Sequence, residues 1–226
     1  MHALLLFFAV ASVAGANPDL ANARDRQDRA KLDQIVAECR AAAEKQPADP
    51  NSQYRLALAL SYAAEVAIEV HDKPKGRELA EAGIKSAEKA VGLNGNSSEF
   101  HRMLGTLCGQ MISSNGLAGF KYGKCALNEV NKAIELEPKS SEAYVSHGVG
   151  NYYLPAALGG GMELAIKDFQ KAIDLNPKSH EAYLWLGIAL RKDNKPAEAH
   201  KALAKSLELN PNRVWTKQQI DKTPAQ

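Results

Sequence analysis

Helix-ending residues recur along most of this chain at intervals that shrink toward 34 residues. They stand at Pro47, Gly95, Pro138, Pro177 and Pro211, which gives successive intervals of 48, 43, 39 and 34 residues. A period of this size predicts a stack of similar structural units, because a unit of 20 to 50 residues cannot bury its own apolar face and needs neighbours. The chain is therefore predicted to form an elongated array of repeats.

The last interval shows the unit most clearly, in residues 180–211, HEAYLWLGIALRKDNKPAEAHKALAKSLELNP. Gly187 and Ala199 are small enough to let two antiparallel helices approach closely, with Leu203 beside them. Tyr183, Leu186 and Leu190 fill the surrounding layer. Pro211 then ends the second helix.

The spacing of these residues resembles the tetratricopeptide repeat (TPR), and ELEP, DLNP and ELNP each close a helix in the same way. The resemblance implies an all-α, right-handed α-solenoid of antiparallel helix pairs, whose first helices line a concave groove for peptides or proteins. A weaker resemblance concerns the stretch LPAALGGGMELAIKDFQKAI, which looks like TPR accessory subunits of bacterial TRAP transporters and related regulators of microtubule dynamics.

The repeat phase divides the chain into an ordered series of segments. Residues 17–47 are predicted to form a single N-terminal helix packing on the array, and residues 212–226 a capping helix and tail. The array itself spans residues 48–211 as four repeats, at about 50–95, 98–138, 141–177 and 180–211. The residues in excess of 34 are predicted to lie between the two helices of each of the first three units, on one edge of the solenoid.

The first residues differ from the rest in composition. Residues 3–14, ALLLFFAVASVA, are uncharged and too short to span a bilayer, and the small residues Ala14, Gly15 and Ala16 follow. This pattern predicts a signal peptide over residues 1–16, export to a periplasmic or extracellular space, and no membrane span after cleavage. A buried N-terminal helix is the alternative interpretation.

Three cysteines are present, an odd number for an exported protein. Cys108 and Cys125 bracket one helix-to-helix connection, so they could form a disulfide or remain two small buried thiols. Cys39 is expected to lie in the core.

The charged and histidine residues argue against several functions. The net charge is +2 and cations alternate with acids along every helix, which predicts no nucleic-acid partner. No catalytic motif is recognisable, so we expect no enzyme and no cofactor. His101 and His147 lack a third metal ligand at suitable spacing. The triple glycine Gly159–Gly161 lacks the Lys-Ser or Lys-Thr of a phosphate loop, and a close approach of the chain to its neighbour explains it better.

The groove implied by the TPR resemblance would have an apolar and aromatic floor with a few cations, which suits an extended peptide or an amphipathic helix. About half of these side chains are expected to pack on a neighbouring repeat instead. The groove residues are Tyr54, Leu58, Tyr62, Arg102, Gln110, Val145, Val149, Tyr152, Tyr153, Leu184, Ile188, Arg191 and Lys192. The edge loops would add Phe120, Tyr122, Gly159, Gly160 and Gly161.

Two functions follow from this interpretation. The first is an exported adaptor, not an enzyme, that binds a protein or peptide in its concave groove. The alternative is a periplasmic solute-handling or TRAP-transporter-associated component, with a transporter component or small solute held between the groove and the edge loops.

Overall fold

A computed structural model describes residues 18–114, 119–156 and 159–223 of the chain. Its helices are α1 (Pro18–Asp25), α2 (Arg29–Lys45), α3 (Pro50–Glu69), α4 (Lys73–Leu93), α5 (Ser98–Ser114), α6 (Gly119–Leu136), α7 (Ser141–Tyr153), α8 (Met162–Leu175), α9 (His180–Lys192), α10 (Pro196–Leu209) and α11 (Val214–Asp221). The predicted signal peptide, with its cleavage site after Ala16, lies outside the described residues.

The helices pack as consecutive pairs: α3 with α4, α5 with α6, α7 with α8, and α9 with α10. The first helices of these pairs also contact one another, so α3, α5, α7 and α9 form an inner layer. The second helices make up the outer layer. The predicted all-α solenoid of helix pairs is therefore confirmed.

In each of the last three pairs, the two helices make close contact at a glycine of the first helix, and a larger residue at that position would disturb the contact. A Cβ on Gly187 would lie 2.6 Å from Leu203 Cγ, and one on Gly105 would lie 2.6 Å from Val130 Cγ2. At Gly148 the added atom would meet the ring of Phe169. The small residues of the repeat therefore set how closely the two helices of a pair approach.

Short polar side chains begin many of the helices. Asp28, Asp49 and Asp72 accept hydrogen bonds from the first-turn amides of α2, α3 and α4. Ser140 and Ser179 do the same for α7 and α9. These caps satisfy amides that have no partner within the helix, which fixes where each helix begins.

The N-terminal segment corrects one prediction. We expected a single helix over residues 17–47, but the structure has two, α1 and α2, separated by a turn at 26–28. Gln27 adopts a left-handed backbone conformation with φ of 56°, and Asp28 caps the helix that follows. A second helix therefore begins within the charged run, and the spacing of the apolar residues does not indicate this start.

The connections within the first two pairs also differ from the prediction. The first pair turns at residues 70–72, with His71 at φ of 65°, so the KPKG stretch belongs to the first turn of α4. In the second pair α6 already begins at Gly119, which makes Tyr122 a helical residue rather than part of an edge loop. The remainder of that loop, residues 115–118, and the side chain of Phe120 lie outside the described residues.

One covalent link joins the helices of the second pair. Cys108 of α5 and Cys125 of α6 form a disulfide, with their Cα atoms 6.0 Å apart. Cys39 of α2 is a free, partly buried thiol packed against the core. Among the described helices, none is both long enough and apolar enough to cross a bilayer.

Candidate functional site

The structure divides the predicted groove residues into three groups by exposure. Tyr54, Leu58, Leu184 and Ile188 are buried within the solenoid. Tyr153 and Lys192 are exposed. The intermediate group consists of Tyr62, Arg102, Gln110, Val145, Val149, Tyr152 and Arg191.

Several of the polar groove residues bond to their neighbours in the inner layer. The Tyr54 hydroxyl donates to Glu99 at 2.6 Å, and Arg102 Nε donates to the same carboxylate at 2.7 Å. Burial alone would raise the pKa of Glu99, but the charge and hydrogen bonds of Arg102 lower it below its ordinary value. Gln110 Nε2 donates to the Ser61 carbonyl at 3.1 Å. These side chains thus connect α3 to α5.

Both terminal helices lie against the inner layer. From α1, the Arg24 guanidinium lies 4.6 Å from the ring centroid of Tyr62, a predicted groove residue. From α11, Gln219 accepts hydrogen bonds from Arg191 at its backbone carbonyl, at 3.0 Å, and at its side chain, at 2.8 Å. The helices at the two ends of the array therefore contact residues that were predicted to line the groove.

A largely buried group of charged residues brings the two ends of the array together, and we call it the terminal clasp. Its members are Arg24, Asp25, Glu65, Glu69, Glu181 and Arg213. Arg213, directly before α11, has no exposed side-chain surface, and it pairs with Glu65 of α3 at 2.6 Å and with Glu181 of α9 at 3.2 Å. Arg213 also pairs with Glu69.

Hydrogen bonds from neutral amide side chains reinforce the terminal clasp. Asn210 Nδ2 donates to Asp25 at 2.7 Å, and Gln27 Nε2 donates to Glu69 at 2.8 Å. The side chains of Gln27 and Gln218 also exchange longer hydrogen bonds. Residues 25–27 therefore touch the segment after residue 209 directly.

The terminal clasp holds more carboxylates than guanidinium groups, and this perturbs their pKa values. Burial raises the pKa of Glu65 to about 8, despite the lowering effect of Arg213 and Arg24. Burial would also raise the pKa of Glu181, but Arg24 and Arg213 together lower it to about 2. The two glutamates thus differ in how fully the guanidinium charges compensate their burial.

Aromatic side chains gather where α7, α9 and α11 meet, and we call this group the aromatic cluster: Tyr152, Tyr153, Trp185 and Trp215. The ring centroids of Tyr152 and Tyr153 lie 5.0 Å apart, edge to face, and those of Trp185 and Trp215 lie 5.2 Å apart. Lys192 Nζ lies 4.2 Å from the Tyr152 ring centroid. Tyr153 remains 43% exposed.

Tyr122 does not join this aromatic cluster. It packs on the core formed by α1 to α5, and Lys121 Nζ lies 4.9 Å from its ring centroid. Tyr122 therefore packs on a different group of core side chains from Tyr152.

The glycine segment before α8 has a structural role. Gly159 and Gly161 have φ of 88° and 122°, and a Cβ on Gly160 would clash with the backbone of Leu154. The amide of Gly161 donates to the Asn151 carbonyl at 3.0 Å, and the amide of Gly160 donates to Pro155. These amides are satisfied by the chain itself, and the segment passes close to its neighbour.

The two singled-out histidines lie in separate hydrogen-bonded pairs. His101 Nδ1 contacts Glu129 at 2.5 Å, and His147 Nδ1 contacts Asp168 at 2.8 Å. Within residues 18–114, 119–156 and 159–223, no three His, Cys, Asp or Glu side chains are grouped as a metal would require.

The sequence did not predict that Trp185 and Trp215 belong to the aromatic cluster. It also did not predict the terminal clasp. A signal for the terminal clasp was present, because Glu65 and Glu69 stand one turn apart in the mostly apolar second half of α3. Buried carboxylates require a partner, which the sequence supplies 144 residues later at Arg213.

The fold is shared with solved structures at low sequence identity. A thermophilic TPR protein of Thermus thermophilus aligns with a TM-score of 0.65 and 16% identity, over 89% of this chain and 98% of that one. The HusA haemophore from Porphyromonas gingivalis aligns with a TM-score of 0.58 and 18% identity, over 78% of this chain and 95% of that one. No curated protein sequence matches the chain significantly.

Two family models match the sequence. The tetratricopeptide repeat model matches residues 168–201, which contain most of the last helix pair. Together with the fold, this match confirms the predicted TPR-type, right-handed solenoid. The model "Regulator of microtubule dynamics protein 1-3" matches residues 19–155, from α1 to the end of α7. That match spans more than half of the sequence, and the chain accordingly belongs to the regulator of microtubule dynamics protein 1-3 family.

Proposed function

We propose that this protein is an exported, non-enzymatic TPR adaptor that binds a protein or peptide at the aromatic cluster, on the edge of its inner helical layer. The TPR fold supports the general role, since such repeats typically bind proteins and are not typically catalytic. The family is named for regulators of microtubule dynamics, and export would separate this protein from microtubules. We therefore extend only the protein-binding role to it.

The observation that carries the binding site is the exposure of Tyr153 on a rigid base. The residue is 43% exposed, yet its ring packs edge to face on Tyr152 and its centroid lies 6.4 Å from that of Trp185. An aromatic side chain already held in place loses little conformational entropy on binding, which is a property of interface hot spots. Lys192 adds a positive charge at the border of the same surface.

The remaining groove residues support a smaller binding surface than the sequence predicted. Tyr62 and Arg191 contact the terminal helices, so their substitution would act through the packing of α1 and α11. Tyr152 packs against the core around Trp185 and Leu184 as well as against Tyr153. Tyr153 is therefore the residue that tests partner binding with the least effect on the fold.

The test compares two exposed apolar side chains on opposite layers. A partner is captured from an envelope extract, purified, and its Kd measured with wild type, with Tyr153→Ala and with Leu93→Ala on the outer helix α4, where Leu93 is 46% exposed. We expect Tyr153→Ala to weaken binding by roughly 2 kcal/mol, about 30-fold, and Leu93→Ala to leave it unchanged. Loss of binding on Leu93→Ala alone, with Tyr153→Ala like wild type, would place the interface on the outer layer.

Export is supported by the apolar run over residues 3–14 and by the disulfide, since such bonds persist in oxidising compartments. N-terminal sequencing of the exported protein should begin at Asn17. Recovery of the chain from the soluble cytoplasmic fraction with Met1 intact would exclude the proposed cleavage.

The second candidate function, a solute-handling or TRAP-transporter-associated component, would need a small ligand between the inner layer and the edge loops. A groove of about 490 Å³ in the part of the chain that the structure describes lies elsewhere, between α2 and α4. Mass spectrometry of small molecules released from the purified protein would favour this candidate if it found a stoichiometric ligand.

A further inference from the structure

A groove runs along the outer side of the array between α2 and α4, away from the aromatic cluster. It is a half-open groove of about 490 Å³. The residues that line it are Arg40, Ala43, Glu44, Pro47, Gln53, Leu56, Ala82, Lys85, Ser86 and Lys89. Its floor is made of small or firmly held side chains, since Gln53 Nε2 donates to the carbonyls of Ala43, at 3.2 Å, and of Pro47.

The rim of this groove carries an excess of positive charge. Lys85 and Lys89 stand one helical turn apart on α4, where two like charges oppose helix formation slightly. Arg40 projects from α2 on the other side of the groove. In the part of the chain that the structure describes, none of the three forms an ion pair, although Glu44 lines the same groove. Other lysines, such as Lys75 and Lys132, pair with a glutamate three residues away.

The spacing of the two lysines suits an extended chain. Residues four apart in a helix are separated by about 6 Å along its axis, from a rise of about 1.5 Å per residue. Alternate side chains of an extended peptide point the same way and repeat every ~6.6 Å. A segment with acidic residues at every second position would therefore place successive carboxylates near Lys85 and Lys89, with Arg40 able to receive a third.

We propose that this groove binds an acidic, extended segment of a partner protein, through the cations of Arg40, Lys85 and Lys89. The groove is a second binding surface, on the outer layer, and it does not depend on the aromatic cluster. The sequence signature expected of the bound segment is an acidic residue at every second position, which matches the spacing of Lys85 and Lys89.

The direct test uses fluorescein-labelled peptides and the full mature chain. One peptide alternates Glu and Ser, and its control alternates Gln and Ser at the same length. Fluorescence anisotropy at low ionic strength should show that the Glu peptide binds at least about 10-fold more tightly than the Gln peptide, with the difference shrinking as salt is added. Equal binding of the two peptides would overturn the proposal.

A matched pair of double variants locates the binding. Lys85→Gln/Lys89→Gln removes the groove charges, whereas Lys167→Gln/Lys171→Gln removes a pair with the same spacing on the outer helix α8. We expect the first variant to weaken binding of the Glu peptide about 10-fold and the second to change it less than about twofold. Equal losses in both would show non-specific attraction and refute the site. Binding of the Glu peptide should also survive Tyr153→Ala, which separates this groove from the proposed adaptor surface.

Discussion

Replacing Arg213 with Met is the change that most directly tests whether the terminal clasp stabilises the fold. The substitution keeps a long side chain that can fill most of the volume, but it removes the charge that faces Glu65, Glu69 and Glu181. Arg24 would then remain as the guanidinium partner of Glu181. Glu69, whose side chain is 2% exposed, would be left buried without a pairing cation.

The expected loss follows from the burial of both sides of the interaction. The Arg213 side chain is fully buried and that of Glu69 is 2% exposed, so neither gains hydration when its partner is removed. Removing one member of such a buried pair typically costs about 3 to 5 kcal/mol. For a chain of this size, that corresponds to a fall of roughly 6 to 20 °C in the thermal midpoint.

Urea denaturation followed by circular dichroism measures this loss, and pH distinguishes its cause. Without Arg213 the unpaired carboxylates can relieve their burial only by binding protons, so the deficit relative to wild type should be smaller at pH 5 than at pH 8. The matched control is Arg55→Met, which removes a largely exposed pair with Asp49 at 3.7 Å and should cost no more than about 1 kcal/mol. A variant at position 213 as stable as wild type, or a deficit that grows on acidification, would refute the reasoning.

Three further outcomes are expected. Gly187→Ala should lower the free energy of unfolding by about 1 to 3 kcal/mol because the added methyl overlaps its neighbours, whereas Gly150→Ala, where nothing lies within 4 Å, should be neutral or stabilising; equal thermal midpoints would contradict the contact. The raised pKa of Glu65 means that the folded state keeps a proton which the unfolded state releases above its ordinary pKa of 4.5, so the stability from this group is lost as pH rises toward about 8. Glu65→Gln should therefore flatten the fall of the thermal midpoint between pH 5 and pH 8, and an unchanged slope would assign that fall to other groups. Opening the bond between Cys108 and Cys125 with a reductant should cost about 3 kcal/mol, since it releases a loop closed across 17 residues, and urea midpoints with and without reductant measure it.

The repeat architecture was predictable because it depends on local signals. Helix stops, small residues at fixed spacing and apolar periodicity all lie within one unit, as at Gly187 and Leu203. The break between α1 and α2 was missed because a left-handed Gln27 leaves no mark on the apolar pattern. The sequence predicted Tyr153 as a binding residue but placed it beside Tyr122, whereas the structure places it beside Trp185.

The terminal clasp could not be predicted because it depends on the curvature of the whole array. Whether Arg213 meets Glu65 is decided by the small rotation between successive repeats, which accumulates over the helix pairs between them. No local sequence pattern determines the total rotation between distant repeats. The contacts of α1 and α11 with predicted groove residues could not be predicted for the same reason, since the positions of these helices against the inner layer are also set by the curvature.

Contact between the two ends changes how such an array should melt. In an open solenoid each repeat touches only its neighbours, so the ends fray and partly folded forms can persist. Here the two ends hydrogen-bond directly. Asn210 donates to Asp25 across a sequence separation of 185 residues, and Gln218 donates to Gln27 across 191 residues. Loss of either end exposes the other, which favours a single cooperative transition over stepwise fraying. The same long loops must close before these contacts form, so they should appear late in folding.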